Sequence, residues 1–333
     1  WAGTQRYGIP WAGDNPGDFS PDGLPGVVIA GQSIAMSGFP VWGHDIGGYL
    51  GTQTPETFMR WAQFGALSPV MQIHMTTNRG AWDFGDAALA AYIKYSKLHI
   101  SLFPYIYAMN AEAARTGMPM IRPLPLLYQD DPQAHVFRYE YLFGPDLLVA
   151  PVVTEGATSR EVYFPKGGKW LDYWTGEEIP GGQLRTVDAP LEKLPLYVRL
   201  GALIPMLPED VDTLVEQSGI KADGVTGLDD RLIARVWPGR NNSQASTQDG
   251  LLLEAKPQRD ALRLCATGGD PRRLIWKVSG AKAKTIKIKG KTLPKKDCDA
   301  LSFGDAGWCY DAKQKMLSVS LTTEAKTVCA VAK

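Results

Sequence analysis

Two kinds of hydrophobic patterning divide this chain. In "LPGVVIAGQSIAMSG", Leu24, Val27, Val28, Gly31 and Ile34 recur at helical intervals, predicting a helix. "PVWGHDIGGY" (40–49) then begins as an apolar run and ends in a glycine-rich turn carrying His44 and Asp45. Thr54-Pro55-Glu56 is a helix start, with Phe58, Trp61 and Gly65 on one face. "LSPVMQIHM" predicts a second buried strand ending at His74, and a long helical stretch from Asp86 to Arg115 follows, kinked at Pro104. Strand and helix alternating in this way, with polar groups where strands end, predicts a parallel α/β barrel or sheet. Both build their sites at the carboxyl ends of strands.

From about Met118 the period shortens. "VFRYEYLFG", "DLLVAPVV", "SREVYFP", "KWLDYWTG" and "LPLYVRLGALIPM" are short β-type runs separated by Pro and Gly turns, the pattern of an antiparallel sandwich. A polar interruption around 206–228 precedes a second β module with "LIARVWPG", "RRLIWKVSG", "KTIKIKG" and "MLSVSLTT". The expected organisation is half a barrel over 1–118, a proximal β-sandwich over 119–206 and a distal β-sandwich over 207–333.

Composition narrows the function. With 35 basic and 35 acidic residues the chain is neutral, which argues against nucleic acid or an anionic membrane surface as partner. It has no apolar run long enough for a membrane span. Ten Trp and thirteen Tyr suit sugar-binding faces and large β-rich cores equally. Cys265, Cys298, Cys309 and Cys329 all fall in the last quarter without metal-ligand spacing. Four cysteines in one β-rich module point to as many as two disulfides, and so to an exported protein, periplasmic or extracellular.

Three polar residues end successive strand-like segments: Asp14, Asp45 and His74. Side chains at the same end of neighbouring parallel strands converge, and two carboxylates with a histidine suit acid/base work on a glycosidic bond. Singly, each has a plainer reading: Asp14 as a turn or cap aspartate, Asp45 as a loop brace, His74 as a structural histidine. Their shared topological position favours the site.

At this level of detail the chain resembles glycoside hydrolase family 31, the retaining α-glucosidases, α-xylosidases and their relatives. The resemblance rests on "WAGD", "WGHDIGGY", "FMRWAQFGALSPVMQIH", "LFPYIYAMNAEAARTGMPMIRPL", "YLFGPDLLVAPV", "GATSREVYFPKGGKWLDYWTGE" and "APLEKLPLYVRLGALIPM", in order over roughly 1–207. It implies the C-terminal half of a (β/α)8 barrel followed by two antiparallel β-sandwich domains, acting on an α-linked oligosaccharide or glycoside without metal or organic cofactor. It makes Asp14 the general acid/base and Trp11 an aromatic wall beside it. Arg6 braces or binds within the pocket, and Asp45 holds neighbouring groups in place. Tyr49 lines the leaving-group side, and His74 bonds sugar hydroxyls in the cleavage subsite. Arg79 and Trp82 fall in the same region, as substrate contacts or as structural residues.

The family's nucleophilic Asp sits in a motif resembling Trp-x-Asp-x-Asn/Glu on an earlier barrel strand, and no such motif precedes Asp14 here. The expectation is therefore a C-terminal portion whose N-terminal half belongs to the same enzyme, as a separate chain after nicking or as a preceding segment, without which the open barrel edge is costly. The same residues serve transglycosylases and α-glucan lyases in this family. A non-catalytic carbohydrate-binding or assembly fragment is the competing reading.

Overall fold

The computed structural model describes residues 3–6, 8–214, 230–324 and 326–333. Part of the polar interruption read around 206–228 lies outside the described residues. The chain is a mixed α/β structure in two compact units, one of Trp1–His99 with Met109–Arg199 and one of Ile100–Ala108 with Leu200–Lys333.

In the first unit, helix α1 (Leu24–Met36) leads to a two-residue strand, β1 (Asp45–Ile46). Helix α2 (Pro55–Ala66) starts where Thr54 caps it, the side-chain oxygen accepting from the Thr57 N–H at 3.1 Å. Strand β2 (Gln72–Ile73) then pairs parallel with β1. The predicted buried strand is thus much shorter than its apolar run, and Gln72 is exposed. The expected kinked helix is two helices, α3 (Asp86–Ser101) and α4 (Phe103–Thr116), and the stretch Ile100–Ala108 that holds their junction belongs to the second unit. Pro104 is the second residue of α4; its ring and missing N–H oppose continuation of the preceding turn.

A six-stranded antiparallel sheet completes this unit. Its strands are β3 (Ile121–Pro123), β4 (Tyr141–Phe143), β5 (Leu147–Val149), β7 (Lys169–Asp172), β8 (Glu178–Pro180) and β10 (Leu196–Arg199). They lie in the order β3-β4-β5-β10-β7-β8. A separate antiparallel pair, β6 (Ser159–Phe164) with β9 (Gln183–Asp188), contributes Val162 and Phe164 to one buried cluster with Leu142, Leu148, Trp170 and Tyr197 of the sheet. Alternating burial along β9 is the period-2 pattern of a strand with one wet face.

One buried cation fastens helix α2 to the loops around β6 and β9. The Arg60 guanidinium donates to the carbonyls of Ala189 (2.7 Å), Ala157 (3.0 Å), Pro190 and Lys193 (both 3.2 Å), and to Gln63 Oε1 at 3.2 Å. Gln63 in turn donates to the Leu191 carbonyl at 2.6 Å. Burial lowers the pKa of Arg60, against the nearby Glu56 charge.

The second unit packs two sheets face to face. One holds β11 (Leu203–Met206), β12 (Arg231–Val236), β16 (Arg273–Ser279), β19 (Gly307–Asp311) and β20 (Met316–Thr322). The other holds β13 (Ser243–Ser246), β14 (Leu252–Gln258), β15 (Ala261–Thr267), β17 (Ile286–Ile288), β18 (Lys291–Thr292) and β21 (Val328–Ala332). Leu232, Ala234 and Val236 of β12 and Leu274, Trp276 and Val278 of β16 meet Leu253, Leu264 and Ala330 from the opposite sheet. Pairing is antiparallel throughout the described strands of this unit except β12 with β16, which run parallel.

The four cysteines form two disulfides. Cys265–Cys329 joins directly opposed residues of β15 and β21, and Cys298–Cys309 ties a short 3-10 turn to β19. With its ends 64 positions apart in sequence, the first restricts the unfolded chain by about 4 kcal/mol on the loop-entropy account. Among the described residues no helix is long and apolar enough to cross a membrane.

Candidate active site

Three short segments of the first unit run side by side in parallel. Trp11 bridges to Gly43 and Pro16 to Leu50, while Asp45 and Ile46 register against Gln72 and Ile73. Between the first two segments, Ala12 N–H donates to the Gly43 carbonyl at 2.9 Å, and the Asn15 carbonyl accepts from Tyr49 N–H (2.9 Å) and Leu50 N–H (3.1 Å). Gly48, at φ +79°, permits this approach: a Cβ there would meet the Gly17 Cα at 2.5 Å and its nitrogen at 2.6 Å. The third segment joins through Thr76, whose N–H and hydroxyl both donate to the Tyr49 carbonyl at 3.0 Å.

This ladder brings together most of the residues singled out from the sequence. Asp45 is 3 % exposed, and each carboxylate oxygen accepts one N–H. Oδ2 takes the Trp11 indole at 3.0 Å and Oδ1 the Gln72 amide at 2.8 Å. Tyr49 and His74 stack at 4.9 Å between centroids, with 29° between planes. Asp14 is exposed on a bend between the two bridges, one residue before the carbonyl that receives Tyr49 and Leu50. The role read for Arg6 depends on a side chain outside the described residues.

His44, beside Asp45, turns the other way. Its Nδ1 accepts from Trp61 Nε1 at 3.0 Å, so the proton sits on Nε2, which donates to Ser68 Oγ at 3.1 Å. The Ser68 hydroxyl in turn donates to the Phe64 carbonyl at 3.0 Å. The ring also stacks on Phe64 at 4.6 Å. Full burial holds its pKa down at about 3, against 6.5 in water, so the neutral imidazole is what the fold requires. The native state therefore takes up fewer protons than the unfolded chain between those values. The stability contributed by His44 is complete above about pH 6.5 and falls on acidification by about 1.4 kcal/mol per pH unit. Urea unfolding across pH 3.5–7 is expected to show this component in the wild type and its loss in His44→Gln.

Gln72, the second partner of Asp45, was not legible as a site residue. It carries no charge, and only the β1–β2 register places it opposite Asp45. Arg79 is engaged structurally: it donates to the carbonyls of Asp83 (2.8 Å) and Gln53 (3.2 Å), and its guanidinium lies 3.8 Å from the Phe84 ring centroid. Trp82 is 72 % exposed and, with Arg79, Ile73, Leu89, Tyr92 and Ile93 among others, lines a cavity of about 460 Å³.

Against this geometry, the sequence profile of the glycosyl hydrolases family 31 TIM-barrel domain matches residues 1–109, and that of the family's C-terminal domain matches 117–204. The chain belongs to glycoside hydrolase family 31. An alpha-xylosidase of Saccharolobus solfataricus is 33 % identical over 263 residues, 76 % of this chain and 34 % of that protein. An isomaltosyltransferase of Sporosarcina globispora is 29 % identical over 351 residues, 97 % of this chain and 31 % of that protein. The solved family 31 dextranase of Flavobacterium johnsoniae, complexed with glucose, superposes with a TM-score of 0.86 at 26 % identity, over 98 % of this chain and 44 % of that one. The chain thus spans about a third of the length of these two curated relatives.

Proposed function

We propose that this chain carries the acid/base portion of an exo-acting α-glycoside hydrolase that retains anomeric configuration. The observation that supports it most is the parallel ladder itself, which sets Asp14, Asp45 and the Tyr49–His74 stack on three adjacent segments. In this reading those segments are the C-terminal half of a (β/α)8 barrel. The remaining length of the enzyme, as a second chain or a continuous one, supplies the other half and the nucleophilic aspartate.

Chemistry then proceeds in two displacements. As the nucleophile attacks C1, the Asp14 carboxylic acid gives its proton to the departing glycosidic oxygen. The glycosyl-enzyme ester forms and the aglycone leaves as an alcohol. Asp14, now a carboxylate, takes a proton from the water that attacks C1 from the vacated face, and the ester bond breaks. This needs the two carboxyl groups about 5–5.5 Å apart. Trp11 offers its half-exposed ring to the C–H face of a sugar, and His74, fixed against Tyr49, bonds hydroxyls in the cleavage subsite. The two disulfides support a periplasmic or extracellular setting.

A second reading, transfer of the glycosyl group to a sugar hydroxyl, is favoured by the isomaltosyltransferase likeness, which extends over 97 % of the chain and so includes the distal β module. Both readings use the same residues and differ in what enters at the second step. The test is to incubate the full-length enzyme with a panel of aryl α-glycosides, with and without glucose oligomers as acceptors, and follow products by proton NMR. Release of the α-anomer first supports retaining hydrolysis, and acceptor-linked products support transfer. A β-anomer released first contradicts both.

A further inference from the structure

We propose that Gln72 is a positioning residue, holding the Trp11 indole in place through the Asp45 carboxylate. The inference rests on the reading of Trp11 as the wall of the sugar site. An aromatic wall keeps one orientation only when something holds it. That hold is its N–H on Asp45 Oδ2, at 3.0 Å. Asp45 cannot choose its own rotamer freely, because it is buried and each oxygen needs a donor. The second donor is Gln72 Nε2, at 2.8 Å from Oδ1, on the strand residue that registers directly opposite.

The three groups act as a chain. A carboxylate plane is fixed by two points of contact, one per oxygen, whereas a single contact leaves it free to rotate about Cβ–Cγ. Removing the Gln72 amide leaves Oδ1 buried without its donor, and the carboxylate turns to recover a partner. Oδ2 moves with it and releases the indole.

The experiment labels the full-length enzyme with 5-fluorotryptophan and identifies the Trp11 fluorine resonance as the one missing in Trp11→Phe. In Gln72→Met, which keeps the side-chain length and loses the donors, that resonance is expected to shift and broaden while the other tryptophans stay in place. KM for an oligosaccharide substrate should rise about tenfold, the worth of one hydrogen bond to a charged group, with kcat within about twofold. Gln72→Arg, which restores N–H donors on a long side chain, should return both toward wild type. An unchanged Trp11 resonance in Gln72→Met overturns the proposal. So does a broadened resonance with KM unchanged, or the same broadening in both variants. If the wild type turns over no α-glycoside, the functional reading fails separately; the fluorine signal still decides whether Gln72 controls Trp11.

Discussion

Asp14→Ala is expected to lower kcat/KM for unactivated α-glycosides by about 10²–10⁴-fold, the range that a positioned general acid supplies. The loss should depend on the leaving group. An oligosaccharide or alkyl glycoside departs as an alkoxide unless protonated, and so pays the full penalty. A dinitrophenyl glycoside or a glycosyl fluoride departs without help, so the first displacement should lie within about tenfold of wild type. The second displacement still lacks its base, so such substrates should give a burst of aglycone followed by a slow steady state. Equal loss with both classes would contradict the assignment. Asp14 lies on a bend outside the helices and strands, so the substitution is structurally mild and the unfolding midpoint should stay near wild type.

The largest effect on stability is expected from Arg60→Met. The substitution removes five hydrogen bonds and leaves the carbonyls of Ala157, Ala189, Pro190 and Lys193 without that donor. Removing one side of a buried, charge-assisted network costs about 3–5 kcal/mol. Guanidinium chloride unfolding of the full-length enzyme measures it. A loss below about 1 kcal/mol would mean that the loops around β6 and β9 satisfy themselves once released. Arg60→Lys keeps the charge but cannot span the same acceptors, and should fall between. Helix α2 joins β1 to β2, so loosening it also acts on Asp45 and on His74, one residue beyond β2. Activity should therefore decline in the order of stability.

Much of this was visible in the sequence because the determinants are local. The helical spacing of Leu24, Val27, Val28 and Gly31 gave α1, and Thr54-Pro55-Glu56 gave the start of α2. Polar residues at the ends of apolar runs marked Asp45 and His74. The missing information is all of longer range. Strand alternation sends His44 and Asp45 to opposite sides, but only the packed structure says which enters the core: His44 meets Trp61 and Ser68, Asp45 meets Trp11 and Gln72. Disulfide pairing needed the register of β15 against β21. The run "LPLYVRLGALIPM" reads as one β segment, yet Gly201 at φ +99° breaks it. Its halves become β10 in one sheet and β11 in another.

The most direct test of Asp14 as the acid/base is azide rescue of the Asp14→Ala enzyme with an activated α-glycoside. Azide needs no base, so it should restore turnover by entering where the catalytic water enters. Capture of the glycosyl-enzyme intermediate then gives an α-glycosyl azide, with configuration retained. A β-glycosyl azide would mean direct displacement from the substrate, making Asp14 the nucleophile and contradicting this account.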